Sequence, residues 1–313
     1  MAQVLTVTLN PTVDVSSEAE TVRPTRKTRL SCTRYDPGGG GINVARVVKV
    51  LGGDAEAVFL AGGEMGAFLD RLLGEEGLAR RGFPFSGQTR IAYMVHEQTT
   101  GLEYRFIPQG SPVGLQELQP CFDAIARQPS GYVVASGSLP VGAPEDSYAR
   151  MAEIARAQGL KFVLDTSGPA LISALGNSSV FLVKPSRGEM EQLAGRKLDE
   201  AGIEQTAADL VARGIARFVA CTLGADGALL ASSEGVLRLP AIHVRVRSAV
   251  GAGDSFLGAM VWALSEGRSL EDAFGMGMAA GAAAAMTPGT QVCKKADVFE
   301  LFERHRKQKA QSN

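Results

Sequence analysis

Residues 249–260, Ala-Val-Gly-Ala-Gly-Asp-Ser-Phe-Leu-Gly-Ala-Met, bring together two glycines, a carboxylate and an apolar run. Gly251 and Gly253 stand just ahead of Asp254, and the apolar stretch from Phe256 to Leu264 follows, which reads as a turn opening into a buried helix. Glycine lets a backbone come close to a ligand, and the first N–H groups of a helix have no partner of their own. Such an end attracts anions, because the free donors and the helix dipole point the same way. Asp254 sets a carboxylate in this cradle, where it could take the proton of a hydroxyl that receives a phosphoryl group. Asp is also a favoured N-cap. On this segment alone the catalytic and the capping readings stand level.

A second such start lies at Asp36-Pro-Gly-Gly-Gly-Gly-Ile-Asn-Val-Ala-Arg46, running on to Leu51. Its helix has Ile42, Val47 and Val50 or Leu51 on an apolar face, with Asn43 turned to the same crevice as the glycines. Each glycine costs chain entropy, so close approach of a ligand is the expected reason for four of them. Asp14 falls just past the β-branched run Val4–Thr8, at the end of an expected strand, where open α/β sheets place ligand-binding carboxylates.

The elements that must carry these groups follow from periodicity. Strands are expected at Ala55–Ala61, Tyr132–Ser136, Phe162–Leu164, Val180–Val183 and Phe218–Thr222. Helices are expected at Met65–Glu76, Glu145–Gln158, Ala170–Leu175, from Glu189 to Ala194, at Gln205–Arg213 and at Leu270–Met286. Such alternation implies a parallel sheet with right-handed crossovers. Asp14, Ser138, Asp165, Lys184, Glu189 and Thr222 then collect at one edge, the carboxyl ends of the strands. The loose, threonine-rich stretch from Val15 to Tyr35 and a hairpin of Arg90–His96 with Leu102–Phe106 suggest a small sheet outside the core. It could act as a lid that keeps water from a reactive phosphate. Ala228–Leu230 and Val236–Leu239 read as a further hairpin, and the polar end from Glu303 to Asn313 is expected to fray. One domain over residues 1–313, with a lid of about 14–36 and 88–107, is expected.

Composition sets outer limits. The chain has 313 residues, 45% hydrophobic and 21% charged, with a net charge of -1, which offers no footprint for nucleic acid or an anionic membrane. The start lacks a basic segment leading into a long apolar core, and the late apolar stretch is broken by glycines, so a cytoplasmic protein is expected. Cys32, Cys121, Cys221 and Cys293 form no C-x-x-C pair, and His96, His243 and His305 are scattered, so neither a disulfide framework nor a zinc site is expected. No Gly-Lys dipeptide occurs, which excludes the P-loop, and neither Gly251-x-Gly253 nor Gly38-x-Gly40 continues to the third glycine of the dinucleotide fingerprint.

Pro-Gly-Gly-Gly-Gly-Ile-Asn-Val-Ala-Arg (37–46) and Val-Gly-Ala-Gly-Asp-Ser (250–255) resemble the two signatures of the PfkB carbohydrate kinases, a ribokinase-like family. Gly-Ser-Leu-Pro (137–140), Val-Lys-Pro (183–185) and Thr-Leu-Gly-Ala-Asp-Gly (222–227) match the family's order and spacing. The resemblance implies a three-layer α/β/α fold, a mostly parallel sheet with a β-sheet lid, and an ATP-dependent kinase acting on a sugar hydroxyl. It implies Asp254 as general base and the N–H groups of Gly251, Ala252 and Gly253 as the anion hole. Asp14, Gly39 and Asn43 would hold sugar hydroxyls; Arg90 and Ser138 would grip a phosphate already on the sugar, with Lys27 and Arg105 as weaker candidates. Lys184, Ser186, Thr222, Gly224 and Gly227 would serve the nucleotide, and Glu189 would order Mg²⁺ through water, with a monovalent cation as a further cofactor. Pairing of two lids would give a homodimer.

The sequence departs from the family at one point: Ser186 stands where an N-x-x-E element begins with Asn. Serine has a shorter reach and one fewer donor, so weakened Mg-ATP handling is expected. The tetraglycine form resembles the 6-phosphofructokinase branch, since 1-phosphofructokinases and tagatose-6-phosphate kinases usually have Lys where Gly40 stands. Fructose 6-phosphate is the expected acceptor; those neighbouring phosphosugars, or a homologue that binds phosphosugar without catalysis, are the alternatives.

Overall fold

Runs of β-branched and apolar residues become strands, and the stretches of helical period between them become helices. In the computed structural model, which describes residues 3–312, β1 (Val4–Thr8) leads through Pro11 into β2 (Thr12–Ala19) and β3 (Ser31–Gly38). Then come α1 (Gly40–Leu51), β4 (Ala55–Ala61), α2 (Gly63–Glu75) and β5 (Ala79–Pro84), and a hairpin of β6 (Arg90–Glu97) and β7 (Glu103–Phe106). The regular part runs α3 (Leu115–Ala126), β8 (Tyr132–Ser136), α4 (Ser147–Ala157), β9 (Lys161–Asp165), α5 (Gly168–Asn177), β10 (Val180–Val183) and α6 (Arg187–Ala194). It continues through α7 (Glu200–Ala212), β11 (Ala216–Thr222), β12 (Ala228–Ser232), β13 (Gly235–Leu239), α8 (Ala252–Ser265), α9 (Leu270–Ala285) and α10 (Lys295–Ser312). Met1, Ala2 and Asn313 lie outside the described residues.

The main sheet has nine strands in the order β13-β12-β11-β10-β9-β8-β1-β4-β5, parallel from β11 to β5 and closed by the antiparallel pairs β11/β12 and β12/β13. Parallel strands are covered on both faces, so they read as unbroken apolar runs. Alternate residues serve the two sides. Val4, Ala57 and Val134 meet α1, α8 and α9, whereas Leu5, Val58 and Val133 meet α3, α4 and α5. Helix layers on either face of this sheet make the three-layer ribokinase-like fold. The second sheet has four strands in the order β3-β2-β6-β7, with β2 and β6 parallel.

Three elements differ from the sequence reading. β5 (Ala-Arg-Arg-Gly-Phe-Pro) lacks an apolar run because it is the sheet's edge, where Pro84 leaves no ladder bond unmade. α3 contains Pro120, which ordinarily stops a helix, but buries Leu118, Cys121, Phe122 and Ile125 on one side. The chain end expected to fray is helical through Ser312, because Val298, Leu301 and Phe302 bury at i, i+3 and i+4 and Phe299 meets the Trp262 ring edge-on.

The contact that positions the site is the crossing of α1 with α8. A Cβ at Gly258 would lie 2.8 Å from Val47 Cβ and 3.0 Å from the Val44 carbonyl, closer than side chains tolerate. Gly258→Ala is therefore expected to destabilise the fold by about 1–3 kcal/mol, as overpacking does. Gly176→Ala, at an exposed position near the end of α5 where a Cβ meets nothing within 4 Å, is expected to gain a few tenths to about 1 kcal/mol. Urea denaturation of the two variants checks the contrast.

Candidate active site

The carboxyl ends of β1, β8, β9 and β10 open into a cavity of about 430 Å³, closed on its other side by β2, β6 and β7 of the small sheet. β1 fixes the start of α1: the Ile42 N–H donates to Thr8 Oγ1 at 2.9 Å. A Cβ at Gly41 would strike that same oxygen at 2.6 Å, one at Gly40 would strike Ser136 Oγ, and one at Gly38 would meet the Asp14 carboxylate. The glycine run thus has packing reasons too, which the sequence reading found hard to supply, beside the cavity that Gly39 and Gly40 line. Gly39 is the N-cap of α1 with φ 114°, a left-handed value that favours glycine.

α8 begins at Gly251, also left-handed with φ 72°. Its crossing with α1 brings the Asn43 amide to Asp254, with Nδ2 donating to Oδ2 at 2.9 Å. Asp254 lies in the first turn of α8 and points at Asn43, so it does not serve as the helix's cap. Beside it, Lys184 Nζ meets Asp165 Oδ1 at 3.1 Å, and Ser136 Oγ donates to Asp165 Oδ2 at 3.3 Å. A Cβ at Gly253 would come within 3.4 Å of Lys184 Nζ, so glycine lets the ammonium approach the head of α8. The loop after β8 is held by its Gly137 carbonyl, which accepts from Tyr148 Oη at 2.8 Å and Thr166 Oγ1 at 2.9 Å.

Burial dominates the electrostatics. It pushes the Asp254 carboxyl up to about 6, with the Asp165 charge adding, against the Asn43 hydrogen bond and the Lys184 and Arg105 charges. Burial likewise raises Asp14 to about 7; its Thr12 hydrogen bond and the Arg46 charge oppose this, and Asp254 and Asp36 add to it. For Lys184, burial alone would lower the ammonium, but Asp165, Asp254 and Glu189 outweigh it and hold the pKa above the usual lysine value. Burial lowers Arg90, with Asp14 pulling the other way.

Asp14, Gly39, Asn43, Arg90, Arg105, Ser138, Lys184, Glu189, Gly251, Gly253 and Asp254 all line the one cavity. Arg90 Nη2 donates to the Asn10 carbonyl at 2.9 Å and Nη1 to that of Pro108 at 2.8 Å, while Asn10 Nδ2 reaches Ser138 Oγ at 3.2 Å. Asn10 thereby gathers the two groups expected at a sugar phosphate. Lys27 is not brought to this cavity; it is exposed on the connection between β2 and β3. Ala252 sits in the first turn of α8 without lining the cavity.

Thr222 pairs with Ser186, and its N–H donates to the Pro185 carbonyl at 3.0 Å, so both lie next to Lys184 rather than on the cavity wall. Gly224 opens the short turn after β11; Gly227, φ 91°, is packed where a Cβ would strike the Leu239 carbonyl. Ser186 caps α6 in a reciprocal pair: its N–H donates to Glu189 Oε2 at 2.7 Å, and its Oγ accepts from the Glu189 N–H at 3.4 Å.

The residue reading missed Asn10, Ser136, Thr290 and a part for Asp165, all of them on or beside the cavity. Asp165 had a signal, since it ends a strand at the same edge. Thr290 had none: its Oγ1 donates to the buried Asp36 at 3.0 Å across 254 positions of sequence.

The sequence profile described as "pfkB family carbohydrate kinase" matches residues 6–297. The chain is 42% identical over 304 residues to the ATP-dependent 6-phosphofructokinase isozyme 2 of Mycobacterium tuberculosis, covering 96% of this chain and 89% of that one. It is 36% identical to the Escherichia coli enzyme of the same name, covering 96% and 98%. The 1-phosphofructokinase of Bacillus subtilis is more distant, at 32% over 91% of this chain and 93% of its own. Crystal structures of phosphofructokinase-2 from E. coli superpose with TM-scores of 0.93 for the potassium complex and 0.92 for the fructose-6-phosphate complex. Both cover 98% of this chain and 100% of the other. A profile match over most of its length, together with relatives this similar end to end, shows that the chain belongs to the pfkB family of carbohydrate kinases.

Proposed function

We propose that the protein transfers the γ-phosphoryl group of ATP to the 1-hydroxyl of fructose 6-phosphate, giving fructose 1,6-bisphosphate. The observation that carries this reading is Asp254, held by Asn43 between two glycine-headed helices at the centre of a cavity with cations at both ends. Arg90 and Ser138 suit the 6-phosphate, with Arg105 across the mouth. Asp14, Gly39 and Asn43 suit the sugar hydroxyls. Asp254 takes the proton from the 1-hydroxyl as that oxygen bonds to the γ-phosphorus and the bond to the β–γ bridging oxygen breaks. The N–H groups at the start of α8, from Gly251 to Gly253, face the charge that builds on the transferred group. Lys184 meets the nucleotide phosphates, and Thr222, Ser186, Gly224 and Gly227 shape the wall beside it.

The donor set fits Mg²⁺ held mainly by water and nucleotide phosphates. Glu189 reaches the cavity, and among the described residues no group of three metal-ligating side chains is gathered. The ion would neutralise charge on the phosphates; Glu189, anchored by the Ser186 N–H, would orient its water. Serine keeps this anchoring bond, because the donor is backbone. A monovalent cation beside the turn from Ser248 to Val250 belongs to the same reading, prompted by the potassium complex of the E. coli enzyme.

Two observations favour fructose 6-phosphate over the neighbouring substrates. The 6-phosphofructokinases are the nearer relatives of the two kinds compared. A side chain at Gly40 would displace Ser136 Oγ, which bonds Asp165, so the lysine usual in the other branches has no seat here. We read the whole chain as one domain, with the small sheet (about residues 14–36 and 88–107) as its lid, acting in the cytoplasm in glycolysis.

The lid also suggests a homodimer. One row across its four strands is Tyr35, Val15, Tyr93 and Phe106, and Tyr93 and Phe106 are 46% and 58% exposed. Pairing of two such sheets would cover these rings and the edges of β3 and β7.

Asp254→Asn is expected to lower kcat by about 10²–10⁴-fold, the usual share of a general base. ADP release coupled to a reporter, compared across fructose 6-phosphate, fructose 1-phosphate and tagatose 6-phosphate, is expected to favour the first. Binding without ADP from any of them would leave only the non-catalytic alternative. A base must be ionised to act, so kcat/KM, which reports the free enzyme, should rise with pH through about 6, the value to which Asp254 is pushed. Light scattering at micromolar concentration should give a dimer, and the Tyr93→Asp/Phe106→Asp double variant a monomer; a monomeric parent would sink the pairing.

A further inference from the structure

Arg46 is buried beneath the site, its side chain 4% exposed, and it touches nothing that would be substrate. We propose that it is the positioning residue of the reaction: clamped by Glu76, its guanidinium fixes which way the Asn43 amide faces and so holds Asp254 in place. This rests on the reading of Asp254 as the base.

The argument begins with the fork. Arg46 Nε donates to Glu76 Oε2 at 2.8 Å and Nη2 to Oε1 at 2.7 Å, a bidentate pair that leaves the guanidinium no freedom to turn. The remaining nitrogen, Nη1, donates at 3.1 Å to the Pro37 carbonyl and at 3.1 Å to Asn43 Oδ1. A guanidinium can only donate, so the Asn43 atom facing it must be the oxygen. The amide nitrogen is thereby turned to Asp254 Oδ2, 2.9 Å away. Flipping the amide would set its NH₂ against the guanidinium and its carbonyl against the carboxylate, exchanging two attractive contacts for two repulsive ones. Asn43 and Arg46 are three residues apart on α1 and so share a face. Pro37 belongs to β3, so the same guanidinium also ties down the strand through which the small sheet joins α1. Burying such a charge is costly unless it is fully paired. A plain packing role at position 46 would be met by an apolar side chain.

The test is the pH dependence of kcat at saturating fructose 6-phosphate and ATP. Without the fork, Asp254 loses a donor that favours its ionised form, so the acid limb should move to higher pH. For Arg46→Met a displacement of about one unit is expected, so with an acid limb that starts near 6 the rate at pH 6 falls about fivefold more than the rate at pH 8.5. KM for ATP should stay within about twofold. Arg46→Lys, which keeps the charge and loses the fork, should fall between, and it answers the question if the Met variant does not fold. In an Asn43→Ala background, Arg46→Met should add no further displacement, because the residue acts through the amide. A rate lowered equally at every pH would show a structural role only. A displacement undiminished without Asn43 would show a direct charge effect. Either result overturns the proposal. Asp254→Asn separates the two levels: if that variant turns over freely the functional reading falls, whereas if it is silent and the Arg46 acid limb stays put, only this inference falls.

Discussion

The bond between Asn43 and Asp254 depends on two helices lying closer than side chains normally allow. Helix axes pack at about 8–10 Å, and the glycine at 258 removes the atoms that would hold α8 away from Val44 and Val47. The rest of the site is arranged around that approach. Thr8 takes hold of the first turn of α1, Gly253 makes room for Lys184, and the Gly137 loop is pinned from below by Tyr148. A carboxylate that must receive a proton from one particular hydroxyl gains more from such restraint than from any single added charge.

Restraint has an electrostatic cost. Asp14 and Asp254 are both raised, and burial is the first cause for each, so the free site holds two carboxyls less comfortable ionised than they would be in water. Arg90, Arg105 and Lys184 stand around them without neutralising them fully. A substrate bringing phosphates to the cationic ends and hydroxyls to the carboxylates completes what the protein leaves incomplete. Groups of opposite demand inside one cavity are a common mark of a catalytic site.

Much of this was legible in the sequence, and the limits have physical causes. The strands Ala55–Ala61, Tyr132–Ser136 and Val180–Val183 were read to the residue because parallel strands buried on both faces are unbroken apolar runs. β5 was invisible because an edge needs no such run, and α3 because a local stop at Pro120 yielded to burial on one side. The glycines stood out as a cluster, but their packing reason was not legible: what they avoid, Ser136 and Asp14, comes from distant parts of the chain. Asp254 stood out by its local setting, whereas Arg46 and Thr290 did not, since what matters about them is whom they meet. Lys27 was included by resemblance alone, and it lies apart from the cavity.

The order of the chain has a consequence for synthesis. α1 buries Val44, Val47 and Val48 under a helix that begins only at Ala252, so two hundred residues must leave the ribosome before that groove is covered. At about 5–20 residues per second this is an interval on the order of ten to forty seconds. Until then no residue of α8 is available to cover these valines, and their burial must wait for it.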